Sequence, residues 1–170
     1  MLTTVPGVTV YSPSDTAELS QCLEQALYKD KGIVAVRYPR GCELYRSGTK
    51  AYSDFRHVSN KSRKLIFTYG RISAYAYTIH GVDVLQAIKI FPIADEMIDI
   101  CLAYDEIYAF EEGEREGGIA QKLCTALALA GFKGRFTITA VDGFVRHADV
   151  AAQLHNAMLD ADGMRKITGE

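Results

Sequence analysis

Short β-branched runs alternate with stretches of helical period along almost the whole chain, and several of these segments close on a glycine. The first forty residues set the pattern. "VTVYS" is short and β-branched, and "SPSD" offers a serine or aspartate cap to "TAELSQCLEQALYKD". Leu19, Cys22, Leu23, Ala26 and Leu27 form one stripe on that helix, Gly32 closes it, and "IVAVR" is a second, wholly apolar strand. A strand, a helix and a buried strand make a βαβ unit whose two strands run parallel.

Residues 41 to 62 break the rhythm: they hold no sustained period and are rich in Gly, Ser, Arg and Lys, which reads as a linker or an irregular strand pair. Alternation then resumes with "KLIFTYG" as strand, "RISAYAYTIHG" as helix, "DVLQAIKIF" as strand and "ADEMIDICLAY" as helix. "EIYAFEE" is a strand, "GGIAQKLCTALALAG" a long apolar helix, and "RFTITAV" a strand, before a tail that is helical in at least one piece. This order predicts an α/β fold, a three-layer αβα sandwich with a mostly parallel sheet over 63–170, preceded by a linker at 42–62 and a βαβ remnant at 1–41. A lone βαβ unit cannot cover both its faces. It either extends the later sheet or is the torn edge of a larger domain, and exposed apolar faces then drive self-association or leave residues 1–40 poorly ordered.

Composition narrows the function classes. Apolar residues at 48% and charged residues at 24% of 170 exclude a disordered chain, and a net charge of −2 offers no nucleic-acid or anionic-membrane surface. No apolar run is long enough to span a bilayer, and "MLTTVPGVTV" lacks the features of a secretory signal. Cysteines at 22, 42, 101 and 124 and histidines at 57, 80, 147 and 155 are scattered without metal-ligand spacing. A cytoplasmic, metal-free protein is expected, without nucleic-acid or membrane partners.

Two stretches carry candidate chemistry. "AVRYPRG" leaves the apolar strand at its carboxyl end, where ligands gather in open α/β sheets, and a guanidinium there can grip a phosphate or carboxylate. Arg37 and Arg40 stand three apart around Tyr-Pro, so one faces a ligand while the other braces the turn, or both are structural ion-pair partners. "EEGEREGG", residues 111–118, sits where a dinucleotide-binding turn would, but its glycines miss that spacing and its four glutamates would repel a pyrophosphate. It reads as a tight strand-to-helix turn, with cation binding or favourable interaction with the helix N-terminus as alternatives. His147 in "DGFVRHAD" has no nucleophile beside it, and Tyr75 and Tyr77 read as packing residues. No P-loop, HExxH or GxSxG occurs, so no catalytic residue is assigned.

In order along the chain, "VPGVTVYSPSDTAELSQCLEQALYKDKGIVAVRYPRG", "FTYGRISAYA", "PIADEMI", "YAFEEGEREGGIA" and "VDGFVRHADVAAQLHNAMLDADGM" resemble one family. They are similar to the 1-deoxy-D-xylulose-5-phosphate synthases, thiamine-diphosphate enzymes of the transketolase group. The first stretch looks like the end of their pyrimidine-binding domain and the rest like their C-terminal domain. The family condenses pyruvate with glyceraldehyde 3-phosphate, releasing carbon dioxide, in isoprenoid and thiamine precursor synthesis.

The resemblance implies that Arg40 matches the arginine that binds the substrate phosphate, with Arg37 as its supporting neighbour. Thiamine diphosphate and Mg2+ are held in the family by a "GDG" motif with a downstream asparagine, which this chain does not contain, so neither is expected to bind it. The glutamate that activates the cofactor also lies upstream of the matching segments. Where many members read Arg-Phe-x-Lys-Pro-Leu-Asp, this chain has "KIFPIAD", with Lys89 in place of the arginine. The implied function is the C-terminal part of such a synthase, inactive alone and self-associating as a dimer or higher, with the missing N-terminal and pyrimidine-binding domains on the same or a separate chain. The alternatives are a subunit of a split transketolase-like enzyme and a non-enzymatic α/β interaction module.

Overall fold

The alternation along the predicted strands decides how the layers stack. A computed structural model describes residues 2–39, 44 and 51–170. The N-terminal unit is β1 (Val8–Tyr11), α1 (Thr16–Tyr28) and β2 (Ile33–Val36), with β1 and β2 parallel. Then come β3 (Phe55–Val58), β4 (Lys64–Tyr69), α2 (Ser73–Ala76), β5 (Asp83–Ala87) and β6 (Lys89–Phe91). The remainder is α3 (Asp95–Leu102), β7 (Glu106–Glu114), α4 (Ile119–Leu129), β8 (Arg135–Val141), α5 (Val150–Asn156) and α6 (Ala161–Thr168).

The larger sheet runs β3-β5-β4-β7-β8, parallel except for β3, which is antiparallel to β5. On β4 and β7, Leu65, Phe67, Ile107 and Ala109 point to one face, against Met97 and Cys101 of α3 and Leu123 and Leu127 of α4. Ile66, Tyr108 and Phe110 point to the other, against Ala76 of α2, Leu154 of α5 and Met164 of α6. Side chains alternate across a strand, so each central strand is apolar on both faces and is sealed by helices on both sides. The three-layer α/β architecture expected from the alternation is therefore present. Among the described residues no helix is long and apolar enough to cross a membrane.

Two local readings are corrected, and two left open are made definite. "DVLQAIKIF" is two strands, not one. The N–H groups of Ile88 and Lys89 both donate to the Asp54 carbonyl at 2.8 Å, and the Ile88 carbonyl accepts from Ser12 N–H at 2.7 Å. These bonds turn the chain out of the large sheet, so β6 pairs antiparallel with β1 in a second sheet of order β2-β1-β6. "RISAYAYTIHG" is a 3-10 turn at Gly70–Ile72 followed by the four-residue α2, because i→i+3 bonds from Thr78 and Ile79 tighten and end it. The tail is two helices, parted at Met158, which adopts a positive φ of 59°. Lastly, the stretch 42–62 carries more than a linker: it supplies β3, whose register runs from Phe55 opposite Ala87 to Val58 opposite Val84.

The βαβ unit is docked on the larger domain. The Asp15 side chain caps α1 by accepting the Glu18 N–H. Glu18 is wholly buried, takes hydrogen bonds from Ser14 N–H and Oγ and from Gln86 Nε2 of β5, and pairs with Arg56 of β3 at 2.9 Å. Cys22 lies one turn on, in a small core with Tyr11 and Ile88, and burial pushes its thiol up to about 12. The rest of the predicted stripe splits: Leu23 and Leu27 face solvent at 42% and 71% exposed, beside Tyr28 at 80% and Ile33 at 56%.

Candidate functional site

Strands β1, β2, β4, β7 and β8 bring their carboxyl ends to one edge of the molecule, where turns leave backbone and side-chain groups free to meet. Arg37, the residue after β2, is fixed by its N–H to the Tyr11 carbonyl at 2.8 Å. Its guanidinium lies over the ring of Tyr69, 5.6 Å from the centroid, and donates to the Tyr69 hydroxyl at 3.4 Å and to the Glu112 carbonyl. Tyr69, the last residue of β4, donates in turn to Glu111 Oε1 at 2.6 Å. Burial, and after it the Glu111 charge, push the Tyr69 phenol well up despite the opposing Arg37, so it stays a neutral donor.

Glu111 is the hub of the acidic turn. Its carboxylate accepts Ile119 N–H at 2.9 Å and Ala120 N–H at 2.8 Å, the first donors of α4, and it is 3% exposed. A helix N-terminus of this kind attracts anions, and here the chain supplies its own. Gly118 makes this possible, since a Cβ there would lie 2.6 Å from Glu111 Oε2 and from the Glu114 carbonyl oxygen. The tight, glycine-dependent turn is present, and with it the alternative in which a glutamate of the turn interacts with the helix N-terminus. Glu112 instead forms a two-pronged pair with Arg71, the residue after Gly70. Glu114 and Glu116 are exposed.

Two cavities open on this edge. One of about 260 Å³ is lined by Ser12, Arg37, Tyr38, Tyr69, Arg71 and Glu112, among others. The next, of about 570 Å³, shares Arg71, Glu112 and Val150 with it and continues along Val141, Phe144 and Leu154. The structure thus brings Arg37 to a site with Arg71, Tyr69 and Glu112. Arg40 lies outside the described residues. Lys89 is elsewhere, paired with Asp54 at 3.1 Å. His147 sits exposed in the loop before α5, where Asp149 and not the histidine caps the helix. Tyr75 and Tyr77 pack against the second core, and the Tyr77 hydroxyl donates to Gln86 Oε1 at 2.6 Å. Arg71 was not singled out from the sequence, although Gly70 ending a strand marks the residue after it as a carboxyl-end position.

No family model matches the chain. It is 29% identical to the 1-deoxy-D-xylulose-5-phosphate synthase of Thermus thermophilus over 97% of its own length and 28% of the synthase. It is 30% identical to that of Chlorobium phaeovibrioides over 92% of its length and 27% of the synthase. This chain is a distant homologue of the C-terminal portion of these synthases. It spans less than a third of the length of the relatives it matches. A solved structure described as a split-gene transketolase in an inactive β4 tetramer superposes with a TM-score of 0.78 at 18% identity, covering 95% of this chain and 57% of that one. The synthase homologue therefore has a transketolase-like fold.

The described residues do not fit the thiamine diphosphate and magnesium of that family. The α4 N-terminus, the obvious cradle for a diphosphate, is filled by Glu111. Among the described residues no three His, Cys, Asp or Glu side chains converge to hold a metal ion.

Proposed function

We propose that the chain acts as the C-terminal portion of a 1-deoxy-D-xylulose-5-phosphate synthase, closing an active site that condenses pyruvate with glyceraldehyde 3-phosphate. The cofactor and its metal would be held by N-terminal and pyrimidine-binding domains, on the same polypeptide or on a second chain. The observation that carries the reading is the match along 97% of this chain to 28% of the synthase. Residues 1–41 would be the end of the pyrimidine-binding domain, and 63–170 a transketolase-type C-terminal domain. Arg40 would hold the substrate phosphate. Arg37, tied to Tyr69 and the Glu112 carbonyl, would set the position of the turn that carries it. The exposed face of Leu23, Leu27, Tyr28 and Ile33 suits a unit that continues into a larger sheet.

The test has two arms. Isothermal titration of the chain alone with thiamine diphosphate and magnesium is expected to give no tight binding, and micromolar binding would overturn the reading. Mixing the chain with the remaining domains is expected to produce pyruvate-dependent carbon dioxide release that is lost in Arg40→Ala. Turnover unaffected by that substitution would remove Arg40 from the site.

A second arrangement has its own support. The solved structure that covers 95% of this chain is described as a split-gene protein in a tetramer, which favours a separately encoded, self-associating subunit. Light scattering is expected to give a dimer or higher, and a monomer at micromolar concentration would refute it. The interaction-module reading is less well supported, because Glu111 and Glu112 are already engaged within the chain.

A further inference from the structure

We infer that a buried water is bound where the N-terminal unit meets the five-stranded sheet, held by Thr68, Ser73 and Arg56 around Gln86. Among the described residues, the buried side-chain polar atoms without a hydrogen-bond partner belong to three residues: Nε and Nη2 of Arg56, Oγ1 of Thr68 and Oγ of Ser73. Such atoms are rare in folded chains, because each loses its hydration and gains nothing in return. These three are not scattered. Arg56 of β3 stands opposite Gln86 of β5, and Thr68 of β4 stands opposite Gln86 on its other side. Residues directly opposed on neighbouring strands share a face, so Arg56, Gln86 and Thr68 form one row across the sheet. Ser73 closes that row from α2. It lies one helical turn before Tyr77, whose hydroxyl reaches Gln86 Oε1 at 2.6 Å, and it shares a helix side with the core residue Ala76. Thr68, Ser73 and Gln86 are all 0% exposed.

The surroundings define the guest. Glu18 covers the row from α1, and its Oε1 lies 2.9 Å from Arg56 Nη2, close enough for an ion pair but off the hydrogen-bond line. The two charges cancel: an anion would meet Glu18 and a cation would meet Arg56, so a neutral molecule fits. Neither Thr68 nor Ser73 lines either cavity at the carboxyl edge, so the guest is small and shut off from that surface. Each hydroxyl offers one donor and two acceptors, Arg56 Nε offers a donor, and Gln86 Oε1 keeps a second lone pair beside the one Tyr77 takes. A water needs two to four polar partners, and this row supplies them, whereas an apolar guest would leave every one unmade. The position has a consequence for the carboxyl edge. Thr68 and Ser73 bracket residues 69–72, the turn that carries Arg71, while Gln86 donates to Glu18 of the N-terminal unit. One water on all of them ties the Arg71 turn to the contact that docks that unit.

Oxygen-17 relaxation dispersion on the whole 170-residue chain tests it, because this signal counts waters that stay bound as the protein tumbles and ignores proton exchange at hydroxyls. A chain of this length holds several buried waters, so the measurement is a difference. Thr68→Val combined with Ser73→Ala is expected to lower the count by one water, and Thr68→Ser, which keeps the hydroxyl, to leave it unchanged. An unchanged count in the double variant overturns the proposal. Urea unfolding of the single variant Thr68→Val gives an independent reading that needs no double variant to fold. Its folded-to-unfolded ratio is expected to fall by ~2–10-fold, the loss of one made hydrogen bond. A hydroxyl with nothing bound to it predicts the opposite sign, so an equal or higher ratio in Thr68→Val overturns the proposal as well. The two substitutions together are expected to cost less than the sum of each alone, since one water serves both hydroxyls, and strict additivity counts against a shared water.

Discussion

Glu111→Gln isolates what the buried carboxylate contributes, because the side chain keeps its shape and loses only charge and one acceptor. Glu111 accepts three hydrogen bonds, from Tyr69 Oη, Ile119 N–H and Ala120 N–H, at 2.6, 2.9 and 2.8 Å. With the amide oxygen at the Oε1 position, the Tyr69 and Ile119 bonds survive but lose their charge assistance, about 1 kcal/mol each. The amide nitrogen then faces Ala120 N–H, donor against donor, which strands a buried N–H at about 1–3 kcal/mol. The sum is about 3–5 kcal/mol, a large fraction of what a domain of this size has. Urea titration followed by far-ultraviolet circular dichroism measures it directly. In a thermal scan the same loss lowers Tm by roughly 6–20 °C for a chain of this length. Glu112→Gln is the control, since the Glu112 side chain is 27% exposed and the amide oxygen keeps one bond to Arg71, so the expected cost is about 1–2 kcal/mol. Equal losses for the two variants, or a Glu111→Gln loss under about 1 kcal/mol, would refute the account of Glu111 as the chain's own anion at α4.

Gly118→Ala would force a Cβ to within 2.6 Å of a backbone oxygen and of the Glu111 carboxylate, and is expected to cost about 1–3 kcal/mol in the same urea assay. Glu18→Ala strands Arg56 and Gln86, and hydrogen exchange is expected to rise in β1 and α1 well before the five-stranded sheet opens; breaking such a pair costs about 3–5 kcal/mol. For Asp83, burial raises the carboxyl, but hydrogen bonds from Tyr104, Ser59, Asn60 N–H and Ser62 N–H outweigh it and hold the group below its ordinary value. Its contribution to stability is therefore complete above the ordinary carboxylate range and lost as pH falls through the depressed value. Asp83→Asn is expected to flatten that acid limb in pH-dependent urea midpoints, and an unchanged acid limb would contradict it.

What could be read from residues alone follows a physical divide. "RFTITAV" became β8 and "GGIAQKLCTALALAG" contains α4 because period and closing glycines are local signals. The break at Ile88 was illegible, since "DVLQAIKIF" keeps strand character throughout and the turn is imposed by Asp54 and Ser12 from other parts of the chain. The acidic turn was recognisable as tight and glycine-dependent. Which of its four glutamates turns inward is set by the Ile119 and Ala120 N–H groups together with Tyr69, 42 residues earlier. Glu18 had no signal as a buried charge either, because its partner Gln86 lies 68 residues away. Arg37 stood out by its place at a strand exit. Its neighbours Arg71 and Glu112 could be joined to it only by the fold.

The unit at the N-terminus is held by three kinds of contact that act together. Backbone pairing of β1 with β6 fixes its register, the Glu18–Arg56–Gln86 cluster fixes α1, and Arg37 on Tyr69 and Glu112 fixes the exit of β2. A contact of one kind would leave a hinge, whereas these pin both strands and the helix of the βαβ unit. A fully buried charge tolerates no sliding, because any shift leaves it unpaired in a dry environment. The unit is thus expected to move with the larger domain as one body. Its outer apolar residues, Leu23, Leu27, Tyr28 and Ile33, take no part in those three contacts and stay exposed. Because Arg37 is anchored to Tyr69 of β4 and to the Glu112 carbonyl of β7, the exit of β2 is fixed in the frame of the five-stranded sheet.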